Sequence, residues 1–272
     1  MHASPFLLFS WHRPFLRDLL LYVEEISQGH CEEVVILVPN TRPFRYIVDI
    51  YRQEGVTGLL PRVVPLEEAV DAWLLANALP PTPHASLLDR CALLHQCVKM
   101  LGPRNELLAS MSEMDLVHFW PWGSRLAQLF EELFSNALVP KDLTAVDAPS
   151  KEAQALLSSL GQIHTQFCEL LEQNGLSTPG LDLLRASRLA SIPPLLKPSE
   201  HNHLLIAGFS VLDGAQERLL KTLWQAGGDI CLHTDPALQT GKTPVSHACL
   251  CHKAWCQRWQ AQTRLMSEDS PA

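Results

Sequence analysis

Short apolar runs and helix-spaced stripes alternate over the first 75 residues. Phe6 to Phe9 is a brief apolar run that predicts a strand. Pro14 then opens a stripe of Phe15, Leu16, Leu19, Leu20, Val23 and Ile26, which recurs at the spacing of one helix face and stops at Gly29. Val34 to Val38 is an unbroken aliphatic run closed by Pro39 and Asn40, the form of a parallel strand covered by helices on both faces. A helical segment follows from Phe44 to Arg52. Residues 58–66 predict a third short strand, which Pro61 and Pro65 confine to an edge or a brief pairing, because each removes a backbone donor. The pattern is that of half an α/β sheet.

From Ser86 to Arg188 the period is helical throughout. Ser86 and Asp89 have capping-box spacing before a stripe of Leu87, Leu88, Cys91, Leu94, Val98 and Leu101, which Gly102 stops. Leu126, Leu129, Phe130, Leu133, Phe134 and Leu138 mark a second amphipathic helix. Leu156, Leu160, Ile163, Phe167, Leu170 and Leu171 mark a third, closed by Asn174 and Gly175. Proline-rich stretches border this block at Leu79 to Pro83 and Ile192 to Pro198. Strand signals then return at His203 to Phe209 and Ile230 to His233, with Asp213 and Gln216 as a capping pair for the helix between them. The expected division is therefore a sheet domain in two parts, 1–80 and 199–265, around a helical insert over 81–198. The polar tail 266–272 is expected to be disordered.

Composition narrows the functional classes. The chain has 272 residues, 47% hydrophobic and 18% charged, a globular balance with core enough for one large domain or two modest ones. Lys and Arg number 21 against 29 Asp and Glu, for a formal charge of -8, so any contact with a polyanion must be local. No 18-residue apolar run spans a bilayer and the N-terminus lacks a basic n-region, so a soluble cytoplasmic protein without membrane contact is expected. Eight Cys in that setting are expected as thiols.

The chemistry a strand-turn-helix start usually carries is missing. A phosphate loop needs glycines so that backbone N–H groups can approach the phosphates, but residues 1–28 contain none. The turn reads Ser10-Trp11-His12-Arg13-Pro14 and has no Lys. The strand over 204–208, where a P-loop ATPase would place its magnesium carboxylate, ends in Ala207. Pro236 to Thr243 ends like a phosphate loop, but Pro236 replaces its first glycine and Pro244 follows it, so a polar surface turn is the better reading. Cys249, Cys251, His252 and Cys256 are metal-ligand types with no distant second pair, so core thiols are expected and no metal is assigned. The 12 His form no recognisable catalytic motif. Phe119-Trp120-Pro121-Trp122 offers either a stacking platform for bases or, as preferred, a hydrophobic staple ahead of the helix.

One loop keeps ligand-binding character. Pro39 to Arg45 lies just beyond the carboxyl end of a strand, the edge where α/β sheets bind ligands. Thr41, Arg42 and Arg45 are groups that position a phosphate backbone, and Arg62 after Leu59-Leu60-Pro61 is a weaker fourth. An ordinary solvated loop is the competing reading.

Taken in order, these segments are familiar. Pro14-Phe15-Leu16, then Val35 to Arg42, then Leu59 to Arg62 resemble the N-terminal region of AddB-type subunits of bacterial helicase-nuclease complexes. Leu88-Asp89-Arg90, Ile206 to Phe209 followed by Gln216-Glu217, and His233 to Leu238 extend the resemblance over nearly the whole chain. The resemblance implies a RecA-like α/β domain of P-loop type, degenerate at its ATP site and interrupted by a helical subdomain. It implies a scaffold that cradles single-stranded DNA beside an AddA-type helicase-nuclease subunit during double-strand break repair. In the family this region scans for recombination signals. Ala207 departs from the acid of some members, and the second helicase-like half and the nuclease domain with its iron-sulfur cysteines lie outside these 272 residues. No catalytic activity and no cofactor are therefore assigned to this chain. A protein-interaction module without DNA contact is the alternative.

Overall fold

The computed structural model describes residues 4–54, 58–240 and 246–266. The first part runs through β1 (Phe6–Ser10), α1 (Phe15–Ser27), β2 (Val34–Val38), α2 (Arg42–Gln53), β3 (Arg62–Pro65) and α3 (Leu66–Ala76). Six helices follow: α4 (Leu87–Leu101), α5 (Glu106–Ser112), α6 (Leu116–Ser135), α7 (Pro140–Thr144), α8 (Lys151–Gln173) and α9 (Pro179–Ala186). The last part holds β4 (His203–Ala207), α10 (Gly214–Gln225), β5 (Asp229–Thr234), α11 (Ala237–Thr240), α12 (Leu250–Trp259) and β6 (Thr263–Leu265). Among the described residues no helix is long and apolar enough to cross a membrane. Residues 267–272 and 241–245, with the expected tail and the Gly241-Lys242-Thr243 turn, lie outside the described set.

The fold is α/β. All six strands are parallel, in the order β3-β2-β4-β5-β1-β6. Strands from both ends of the chain share this one sheet, with Val34 opposite His203 and Leu7 opposite Cys231. Every residue of β1 and β2 is buried, which explains why neither shows polar alternation. One face packs Leu7, Phe9, Ile36 and Val38 beneath Leu19, Val23 and Ile47 of α1 and α2. On the other face Phe6 meets the Trp224 and Trp259 rings edge-on at 5.4 and 5.5 Å. Glu217 ties α10 to α12 there: it accepts a bidentate pair from Arg258 at 2.9 and 2.8 Å and the Trp259 indole N–H at 2.8 Å. That fork geometry fixes the two helices more firmly than a single contact.

Two compact units make up the chain. The sheet unit extends to Ala78, takes in Leu189–Leu212 and resumes at Glu217; the helical unit is Leu79–Arg188 with Asp213–Gln216. Five helices of the helical unit start on side-chain caps: Ser86 with the reciprocal Asp89 box, Asn105, Asp115, Ser150 and Thr178. Glu131 of α6 accepts the backbone N–H of Gly180 at the start of α9, and a Cβ at that position would stand 2.9 Å from the Glu131 carbonyl. Asp182 is almost fully buried and accepts from Ser177 and Arg185, while the His84 ring lies 3.0 Å from its other oxygen. Ser177 and Asp182 are buried, while His84 and Arg185 keep 32% and 36% of their side chains exposed.

Phe119 to Trp122 lie inside α6, not before a helix, and only Phe119 packs, tilted on His95 at 5.1 Å. Trp120 and Trp122 remain exposed, so the staple expectation is corrected for both.

Candidate functional site

Parallel sheets bind ligands outside the carboxyl ends of strands, at points where the chain's direction across the sheet reverses. From β1 the chain crosses toward β2 and β3, and from β4 it advances the other way through β5 to β6. The reversal puts four turns at one edge: those after β1, β2, β4 and β5.

The turn after β1 is closed. The Arg13 N–H bonds the Ser10 carbonyl at 3.1 Å, and those of Arg17 and Asp18 bond the Pro14 carbonyl at 3.1 and 3.2 Å. Asp18 occupies the first turn of α1, and its carboxylate pairs with the Arg13 guanidinium at 2.9 Å. The positive helix end is thus already met by an internal carboxylate, and the nearby amides are spent on backbone. The Trp11 indole donates to the His12 ring at 3.0 Å.

The end of β4 has no carboxylate, and the first acid after it is Asp213, next to the start of α10. Ala207 is buried, and Gly208 takes φ +81°, a left-handed conformation that lets the chain leave the sheet beside Pro39. After β5, Asp235 spends its carboxylate on the backbone N–H groups of Ala237 and Ser246. The fully buried Thr234 hydroxyl has no partner among the described residues.

The turn after β2 is open. Thr41 makes no side-chain cap and the first turn of α2 contains no acid; locally the Arg42 N–H bonds the Asn40 side chain at 3.0 Å and the Phe44 N–H bonds the Thr41 carbonyl at 3.3 Å. Thr41, Arg42 and Arg45 are exposed, and among the described residues neither arginine has an ionic partner. Phe44 and Tyr46 stand beside them, 53% and 62% exposed, while Ile47 and Tyr51 anchor the helix in the core. Two cations and two exposed aromatic rings therefore stand on the first turns of a helix that has no acid at its start.

No protein-family model matches the chain, and no curated protein matches it. The reading of this edge rests on its own chemistry.

Arg62 stands apart from the other three residues singled out in the sequence. It pairs in register with Val35, toward the amino end of β2, and its guanidinium lies 3.2 Å from Glu68. The two aromatics were missed because Phe44 falls at helical spacing from Ile47 and reads as core. The outward face was nonetheless marked by Arg42, Arg45, Asp49 and Arg52, with Tyr46 next to Arg45.

The cysteine-rich segment carries no ligand set. All eight Cys are free thiols, and among the described residues no three His, Cys, Asp or Glu converge as metal ligands. Cys251 donates to the Ser210 carbonyl at 2.9 Å. Burial pushes the Cys256 thiol up to about 11 and the His252 ring below its ordinary value. A cavity lined in part by Phe209 and Trp255 holds about 10 Å³, room for one water, and its mostly apolar lining disfavours even that.

Proposed function

We propose that this chain is a non-catalytic, helicase-like module that binds single-stranded DNA and serves as a scaffold for an AddA-type catalytic subunit in double-strand break repair. Its sheet is then a RecA-like core whose ATP site has degenerated, and the helices between β3 and β4 are an insert in that core. The sequence resemblance supplies the family, and the edge chemistry supports it. In such a motor β1 delivers the phosphate loop and β4 the magnesium carboxylate, with one strand between them, as β5 lies here. Neither group is present: Asp18 fills the anion position after β1, and Ala207 ends β4.

The observation that carries the DNA reading is the open start of α2. Arg42 and Arg45 supply phosphate contacts, and Phe44 and Tyr46 offer the π-faces on which unpaired bases stack. The purified chain should turn over no ATP, with or without an oligonucleotide. It should bind an oligo-dT strand with an affinity that falls with salt, each phosphate contact adding about 0.7 to the slope. ATP hydrolysis would overturn the inactive reading. Absence of binding at low salt would transfer the chain to the alternative, a protein-interaction module.

A further inference from the structure

The helical unit carries two indoles that packing covers only in part, on opposite flanks of the exposed side of α6, about 200° apart round its axis. Trp120 and Trp122 of α6 are 37% and 52% exposed, and Val117 is 79% exposed beside them. Neither indole N–H has a hydrogen-bond partner among the described residues. Pro121 between them has no N–H, so the Val117 carbonyl loses its α-helical donor on the same exposed turn.

The charges around this turn favour an anion. Arg125 lies one turn on, at i+3 from Trp122 and i+4 from Pro121, and has no ionic partner among the described residues. No carboxylate occurs from Leu116 to Phe130. Asp115, just before the helix, is engaged: it accepts the His118 backbone N–H and pairs with the His118 ring, both at 2.8 Å, which holds its carboxyl below the usual range. The apolar surface is also small. Four exposed side chains offer on the order of a few hundred Å², against about 800 Å² per partner in a stable protein interface. Exposed indole faces with a free cation and no carboxylate match the way single strands are held, by base stacking with a phosphate contact.

We infer that Trp120, Trp122 and Arg125 form a second nucleic-acid subsite, on the helical unit, where bases of a single strand stack on the indoles and Arg125 meets a phosphate. The inference rests on the DNA reading of the α2 start but concerns different residues, so the two can fail separately.

The test is titration of the full chain with a labelled oligo-dT strand at several salt concentrations. Trp120→Ala and Trp122→Ala should each weaken binding roughly tenfold without changing the salt slope, and Trp→Phe should restore most of the loss. Arg125→Ala should lower the slope by about 0.7. If both Trp→Ala chains bind like wild type while loss of Arg42 and Arg45 weakens binding, the subsite is refuted and the α2 reading stands. If the wild-type chain fails to bind, both fall. If the Trp→Ala changes alter only the sedimentation of the protein alone, the face belongs to a second copy and the inference is overturned.

Discussion

β1 and β2 deliver the chain to the same edge of the same sheet, each into a helix with a proline at or near its start, yet the two starts have opposite chemistry. Asp18 and Arg13 satisfy each other across the first turn of α1, and the neighbouring amides are bonded to backbone. The start of α2 has no acid, its Arg42 N–H is met by the neutral Asn40 side chain, and it presents Arg42 and Arg45 to solvent. Topology places both where a ligand could bind; the residues of the first turn decide which one is available. A fold can therefore keep its ligand edge and move the binding from one strand's turn to another's.

The largest expected effect sets the conditions under which these starts can be compared. His164 in the helical unit is fully buried, stacked on Phe130 at 4.6 Å and against Phe134 at 4.8 Å, and among the described residues neither ring nitrogen has a partner. Burial pushes its pKa down to about 4, so the folded state holds it neutral. Because the folded pKa lies below the unfolded one, that stability is complete above about pH 6.5. It drains away as pH falls toward 4, a loss of roughly 3 kcal/mol. Urea unfolding across this range should show the decline, and a His164→Phe chain should lack it; an unchanged acid slope would remove His164 as the cause.

Above that window the comparison is tested directly. Replacing Arg42 and Arg45 together by Ala should weaken oligonucleotide binding about tenfold and lower the salt slope by about 1.4, with unfolding unaffected. Asp18→Ala should do the reverse, costing about 1 kcal/mol in thermal unfolding while binding stays within about twofold. A DNA defect in the Asp18 variant would show that the α1 start is not closed. The smallest effect is the most pointed: Thr41→Asp puts an acid at the cap position of α2, as Asp115 does for α6. It should add about 0.5 kcal/mol of stability and reduce oligonucleotide affinity several-fold. A gain in stability with no loss of binding would break the link between the open start and the ligand.

The parts of this molecule written in local residue order were legible beforehand. Val34–Val38 is a strand over its predicted length, and the Ser86-Asp89 box opens α4 as its spacing requires. The Leu116 start of α6 was hidden because Pro121 argues for a boundary, yet the helix absorbs it within its first two turns. β6 is only three residues long and has no apolar run; pairing with β1 creates it. At the candidate site the arginines were visible as charge, and Asp18 was not, because its meaning depends on Arg13 folding back over the helix start. Whether Trp120 and Trp122 face solvent is likewise decided by what packs around α6, which no local pattern records.

The interleaved sheet has a consequence for how the polypeptide is made. β2 needs β4 on one side, and β1 needs β5 and β6, but the ribosome must first deliver the whole helical block. Until then the opening strands hold unpaired backbone edges and apolar faces without their partners, a state prone to aggregation. Helices that fold early from local contacts shorten that interval by drawing the distant chain segments together, so slow translation just past Arg188 is where nascent chains of this protein would most need a chaperone.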